Sequence, residues 1–325
     1  MKGKHHILIE TESLRYEFDV RRNITVLQGE SATGKTTLID ILAEYSKKGR
    51  GGGIRVQSDV PCFVFNGSAD RWMYELGGMS GGVIFIDEDY RFIQSNEFAE
   101  YLAHSDNYYV LVTRKPLYNL PYSINEIYGI RTSGKYHFPE KIYHEFYPIY
   151  GDNYGNISDE KRILLLIEDK EAGYDFFKDM VGDGRCMSAE GNAGIYPRII
   201  EIGSSEDILL IADGAAFGSY VDKVVHLRQL RGHIAIYFPE SFEWMVLKSG
   251  IIKGRDILNM LESPEEYIDS KEYMSWERFF TALLIELTKD DPIKRYSKSG
   301  ITDFYRGQNA EKILGVMPEE IRRLI

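Results

Sequence analysis

Cysteine is scarce: the 325 residues contain two, Cys62 and Cys186, far apart and in no C-x-x-C arrangement. That pattern offers no disulfide framework and is the one expected of a chain in reduced, cytoplasmic surroundings. The seven histidines show no zinc spacing, and H-E-x-x-H is missing. Long apolar runs are missing too. The opening stretch His6-Ile7-Leu8-Ile9 stops at Glu10, too short for a signal-peptide core or a membrane span, so no membrane partner is expected. Positive charge is also in short supply. The formal net charge of −11 argues against a general charge-driven grip on nucleic acid and leaves room only for a local basic groove. No repeat at solenoid periods is visible. What is present is an ordinary globular balance, 43% hydrophobic and 27% charged, in a chain long enough for two domains.

One stretch organises the rest. Gly29-Glu30-Ser31-Ala32-Thr33-Gly34-Lys35-Thr36-Thr37 follows the apolar run Ile24-Thr25-Val26-Leu27 and opens a helix-patterned segment at 38–43. It satisfies G-x-x-x-x-G-K-[ST] throughout. Glycines let backbone N–H groups turn inward, and a helix N-terminus adds partial positive charge, so the stretch reads as a phosphate cradle. Lys35 is expected to reach the β- and γ-phosphates and Thr36 to offer its hydroxyl to Mg²⁺. Some fifty residues later, Val83-Ile84-Phe85-Ile86 ends in Asp87-Glu88-Asp89. In nucleotide enzymes with such a loop, the first acid holds Mg²⁺ through water and the next polarises the attacking water, roles that fall on Asp87 and Glu88. The apolar run 108–112 ends in Thr113-Arg114, and Arg114 is a candidate sensor of the γ-phosphate. The residues Ile127-Tyr128-Gly129-Ile130-Arg131 and Lys135-Tyr136-His137-Phe138 suggest a closing hairpin.

Turn-rich residues 150–159 mark a boundary. Behind them, three apolar runs end in carboxylates: 161–167 at Glu168, 207–212 at Asp213, and 233–238 before Glu240 and Glu243. In an open α/β sheet such ends share one edge. Carboxylates converging there would repel one another without a cation, which is a reason of its own to expect Mg²⁺ or Mn²⁺. The tail is helical in pattern at 255–261, 276–287, 310–314 and 318–324. Its one basic loop, 292–300, offers Lys298 or Arg295 to a phosphate.

The short strands at 6–28 that lead into the phosphate loop resemble the ATPase heads of the ABC, SMC and OLD (overcoming lysogenization defect) families. Gly77-Gly78-Met79-Ser80-Gly81-Gly82 looks like the LSGGQ signature of ABC-type heads. There a helix separates the signature from the acidic strand; here only a few residues do, so the stretch reads as a glycine lead-in to that strand. Residues 161–245 resemble a TOPRIM domain, the metal-dependent module of topoisomerases, primases and OLD-family nucleases. Its first-strand Glu lands on Glu168 and its later D-x-D motif on Asp213, but Asp213-Gly214-Ala215 lacks the second acid. Glu240 or Glu243 is then the third metal ligand by position. The resemblance implies an α/β protein with a P-loop NTPase domain at 1–150 and a TOPRIM-like domain with a helical extension at 158–325. Glycines and side chains 29–37 and Arg114 would contact ATP, and Thr36, Asp87, Glu168, Asp213 and Glu240 or Glu243 would contact the metal. Glu88, Glu168 and Asp213 would act in catalysis. It also implies a homo-oligomer paired through nucleotide faces, DNA or RNA as the target, a protein partner and a role in antiviral defence. The alternative is a nucleotide-dependent interaction switch whose second domain has lost catalysis. No base-reading motif such as N-K-x-D separates ATP from GTP.

Overall fold

The computed structural model describes residues 1–29, 33–133, 141–151, 163–182, 184–204 and 206–325. They form an α/β protein of two compact units, one made of Met1–Gly151 with Glu265–Ser275, the other of Asp152–Pro264 with Trp276–Ile325.

The first unit contains β1 (His5–Glu10), β2 (Leu14–Val20), β3 (Ile24–Leu27), α1 (Lys35–Lys48), β4 (Arg55–Gln57), β5 (Cys62–Val64), α2 (Trp72–Leu76), β6 (Val83–Ile86), α3 (Asn96–Leu102), β7 (Tyr108–Val112), β8 (Ile127–Thr132) and β9 (Ile142–Pro148). They make a nine-stranded sheet ordered β4-β1-β2-β9-β8-β3-β7-β6-β5. The run β8-β3-β7-β6-β5 is parallel throughout, whereas β1 pairs antiparallel with both β2 and β4. Every residue of β3, β6 and β7 is buried, as a parallel strand covered on both faces requires. On β2, by contrast, Tyr16, Phe18 and Val20 face the core while Glu17 and Asp19 face out. The expected return strand at 135–138 lies outside the described residues; the described antiparallel partner of β8 is β9, with Ile130 opposite Phe146.

Two devices hold β3 in place at its start. Glu126, 0% exposed, accepts from Arg21 Nε at 2.9 Å, lies 3.3 Å from Arg22 Nε, and takes the Thr25 hydroxyl at 3.4 Å. Asn23 Nδ2 donates to the carbonyls of Ser270 and Tyr273, residues distant in the chain that belong to this unit. The Met1 ammonium meets Asp269 at 2.8 Å in the same segment.

The second unit contains β10 (Ile163–Ile167), α4 (Ala172–Val181), β11 (Cys186–Ser188), α5 (Asn192–Ile202), β12 (Asp207–Ile211), α6 (Gly218–Arg231), β13 (Ile234–Tyr237), α7 (Phe242–Lys248), α8 (Ile257–Glu262), α9 (Trp276–Thr288), α10 (Gln308–Leu314) and α11 (Glu319–Arg322). Its sheet is ordered β11-β10-β12-β13 and is wholly parallel. β10, β12 and β13 are buried residue by residue. The short, half-buried β11 has too little apolar character to stand out in the sequence. Helices α7 and α9 pack on each other, so the helical tail is part of this core.

Removing one partner of a buried ion pair leaves the other charge dry and uncompensated. Glu126→Ala should therefore lower stability on the order of 3 kcal/mol, read as a lower urea midpoint, while Glu145→Ala, at an exposed pair with Arg131, should change it by less than about 1 kcal/mol.

Candidate functional site

In the first unit, β7 lies between β3 and β6 and is parallel to both, so the residues after these strands meet at one edge. β3 delivers Gly29, whose φ of 141° suits a residue without Cβ. Gly34, at φ 97°, caps α1 without a side-chain bond, and no acid sits in that helix's first turn. The helix N-terminus therefore carries positive partial charge that no side chain of its cap or first turn offsets. Lys35 is 5% exposed; its Nζ donates to Gly29 O at 2.8 Å and to Thr33 Oγ1 at 2.9 Å. Thr36 and Thr37 are exposed in the first helical turn. Glu30, Ser31 and Ala32 lie outside the described residues.

Asp87 and Glu88 follow β6. Asp87 Oδ1 accepts the Glu88 N–H at 2.7 Å, and Glu88 Oε1 is 2.7 Å from Arg114 Nη2, which comes in after β7. Burial pushes Lys35 below the usual lysine range, and Arg114 adds to the effect while Glu88 and Asp87 oppose it. Burial also raises Asp87, with Asp89, Glu88 and Asp40 adding to it. Two acids and two bases thus share the edge that faces the loop.

Sequence reasoning missed a pair beneath this loop. The Tyr16 hydroxyl donates to Gly34 O at 3.1 Å, and the His144 ring stacks on Tyr16 with centroids 4.6 Å apart and planes at 11°. A Cβ on Gly34 would come within 3.1 Å of the Tyr16 hydroxyl and 3.4 Å of His144 Cε1. The two residues lie on strands distant in sequence, so no local pattern announces them.

In the second unit, β10 and β12 pair with Ile167 opposite Ile211, so Glu168 and Asp213 leave the sheet side by side. The Asp213 N–H donates to Glu168 Oε2 at 2.8 Å, and the Phe242 N–H donates to Asp213 Oδ1 at 3.2 Å. Asp169 Oδ1 accepts from the N–H groups of Glu171 and Tyr174 at 3.2 and 3.0 Å. Glu168, Asp169 and Asp213 line a cavity of about 20 Å³ floored by Ile167, Ile211, Phe177, Phe242 and Met245, room for one water-sized occupant. Glu243, 1% exposed, accepts the Tyr296 hydroxyl on Oε1 at 2.8 Å, and its buried Oε2 has no partner. Lys298 Nζ donates to Glu277 Oε1 at 2.6 Å.

Glu240 enters the site through its backbone, its carbonyl accepting the Ala215 N–H at 3.2 Å, whereas Glu243 enters by its charge. Ala215 itself is 2% exposed. Of the two basic candidates in the tail, Lys298 faces the acids, and exposed Arg295 donates to Lys289 O instead. Burial is the main force raising Asp213, and Glu277, Glu168, Glu243 and Asp169 add to it. Burial likewise raises Glu168, to about 8, with Glu277 and Asp169 adding and Lys298 opposing. Among the described residues no group of three or more His, Cys, Asp or Glu side chains is arranged to hold a metal ion. The carboxylates of Glu168, Asp169 and Asp213 at that cavity are oxygen donors of the type a hard divalent cation takes, while the unpartnered Glu243 Oε2 belongs to a residue outside the cavity's lining.

No protein-family model matches the chain, and no curated protein matches it.

A carboxyl whose pKa is raised on folding contributes stability below its ordinary value, near 4.5, that is lost as pH rises through the folded value, about 8. In chelator, the thermal midpoint should fall between about pH 5 and about pH 8, and Glu168→Gln should flatten that fall. Scanning calorimetry across this range checks both.

Proposed function

We propose that the first unit binds and hydrolyses a nucleoside triphosphate, ATP by resemblance to ABC, SMC and OLD heads, and that the second is a TOPRIM-like module acting on phosphodiesters of nucleic acid. The observation that carries the first half is Lys35. Supporting it, this buried ammonium donates to a loop carbonyl and a loop hydroxyl at the start of a fourteen-residue helix with no side-chain cap, bonds that phosphate oxygens would replace. Thr36 and Asp87 would hold Mg²⁺, which shields phosphate charge when bound. Glu88 orients water and Arg114 meets charge developing on the transferred phosphoryl group. The resemblance of the head carries pairing into a homo-oligomer and a defence role as part of the same proposal.

In the second unit Glu168, Asp213 and Glu243 would hold Mg²⁺ or Mn²⁺, which stabilises the attacking and leaving oxygens of a phosphodiester when bound. Supporting this is the raised pKa of Glu168 and Asp213: these acids are costly to ionise in a dry edge unless a cation joins them. Ala215 favours the second reading, a nucleotide-dependent interaction switch. It stands where the resembled motif has its second acid, and with 2% exposure it presents no donor in its place.

Supercoiled plasmid incubated with the protein in Mg²⁺ or Mn²⁺, with and without ATP, separates the readings. Lys35→Ala should lower ATP turnover on the order of 10³-fold, and Glu168→Ala should abolish nicking while leaving turnover within about twofold. Turnover without nicking in the unmutated protein would favour the switch.

A further inference from the structure

In the first unit, Arg114 and Glu88 reach toward each other from two fixed pieces of backbone. After β7, the Thr113 N–H donates to Leu27 O at 3.1 Å, which ties the chain to the end of β3. The Thr113 hydroxyl donates to Lys115 O at 2.7 Å and accepts the Lys115 N–H at 3.0 Å, closing a turn around Arg114. After β6, Asp87 accepts the Glu88 N–H on its side chain at 2.7 Å and the Tyr90 N–H on its carbonyl at 3.2 Å. The 2.7 Å contact between Arg114 Nη2 and Glu88 Oε1 is thus made by side chains alone. That of Arg114 is 56% exposed and that of Glu88 26%, so the contact can open without disturbing the sheet. Both charges act on Lys35, Glu88 holding its proton and Arg114 loosening it, which puts the pair beside the lysine of the loop.

We propose that the Glu88–Arg114 pair is a latch on the nucleotide edge: it engages the carboxylate before a nucleoside triphosphate binds, and the γ-phosphate then takes Arg114 over and releases Glu88. The proposal rests on the reading of this edge as a nucleotide site. A half-exposed ion pair is an interaction of the weak kind. A guanidinium and a terminal phosphate, by contrast, can share two parallel N–H···O bonds and more than one negative charge. The exchange therefore runs downhill for a triphosphate. A diphosphate lacks the group that would draw Arg114 away, so with it the pair stays closed. While Arg114 holds Glu88 Oε1, that oxygen accepts from a guanidinium rather than from water. Its release lets the carboxylate orient water only when the phosphoryl group to be transferred is in place, which makes Arg114 a positioning residue for Glu88.

The test is calorimetric titration of the full chain in Mg²⁺ with the non-hydrolysed imido analogues of ATP and GTP beside ADP and GDP. Glu88→Gln should tighten binding of the triphosphate analogue, and the gain should be about threefold larger in a chain that keeps Arg114 than in Arg114→Ala. For the diphosphate it should not depend on Arg114. A pair that stays closed in the bound state gives the opposite sign, because losing Arg114 would leave Glu88 to repel the phosphates unscreened. In the unmutated protein, phenylglyoxal should label Arg114 severalfold more slowly with the triphosphate analogue than with the diphosphate, read by mass spectrometry, while Arg55 on β4, 64% exposed, keeps one rate. Should the analogue bind with a Glu88→Gln gain no larger when Arg114 is present, or leave Arg114 labelling as the diphosphate does, the exchange is wrong and the nucleotide reading stands. Should none of the four nucleotides bind the unmutated protein, both fall. The labelling arm needs no substitution, so it decides even where a variant does not fold.

Discussion

A parallel strand buried on both faces has no room for charge except where it stops. β3, β6 and β7 in the first unit, and β10, β12 and β13 in the second, bury every residue they contain. Their polar groups are therefore driven to the ends, and because neighbouring strands run the same way, the carboxyl ends collect on one edge. Lys35, Asp87, Glu88 and Arg114 meet for this reason, and so do Glu168 and Asp213. The hydrophobic demand of the sheet brings the polar chemistry together, and the backbone amides then fix its geometry.

The two edges differ in charge balance. At the first, Lys35 and Arg114 stand against Asp87 and Glu88, and with the Glu88–Arg114 contact of 2.7 Å the edge is near neutrality beside the N-terminus of α1. At the second, Glu168, Asp169, Asp213, Glu243 and Glu277 share one edge with Lys298. Burial and mutual repulsion there raise Glu168 and Asp213 above the ordinary carboxyl range, so these acids resist ionising together. The difference follows from composition and burial together.

Much of this was legible in the sequence. The apolar runs ending in Asp87-Glu88, Glu168 and Asp213 are short, continuous and bounded by turn residues, which is how a buried parallel strand reads, and the α/β class follows. The phosphate-loop pattern carries its own spacing. Other parts were hidden for physical reasons. β11 is three residues long and half-buried, so its hydrophobic pattern is too weak to register. Tyr16 and His144 meet only because β2 and β9 pair, a contact with no local periodicity. That Glu243 rather than Glu240 is the fully buried one could not be read from spacing alone. The helix-capping Ser241, whose Oγ accepts the Trp244 N–H at 3.1 Å, starts α7 and turns Glu243 inward, leaving Glu240 in the loop before the helix.

The tail was the least legible part, and it supplies much of the second edge. Tyr296, Lys298 and Glu277 come from segments whose sequence reads as an ordinary amphipathic helix followed by a basic surface loop. Their roles depend on packing: α9 lies on α7, and the turn after α9 is closed by Thr288, whose hydroxyl donates to Leu284 O and accepts the Tyr296 N–H. That turn brings the Tyr296 hydroxyl to Glu243 and the Lys298 ammonium to Glu277. A buried carboxyl such as Glu243 is tolerable only with such a donor at hand. The sheet and the tail are thus energetically interdependent. The strand ends gather acids that would otherwise oppose folding, and the tail returns with the hydroxyl and the ammonium that let them stay.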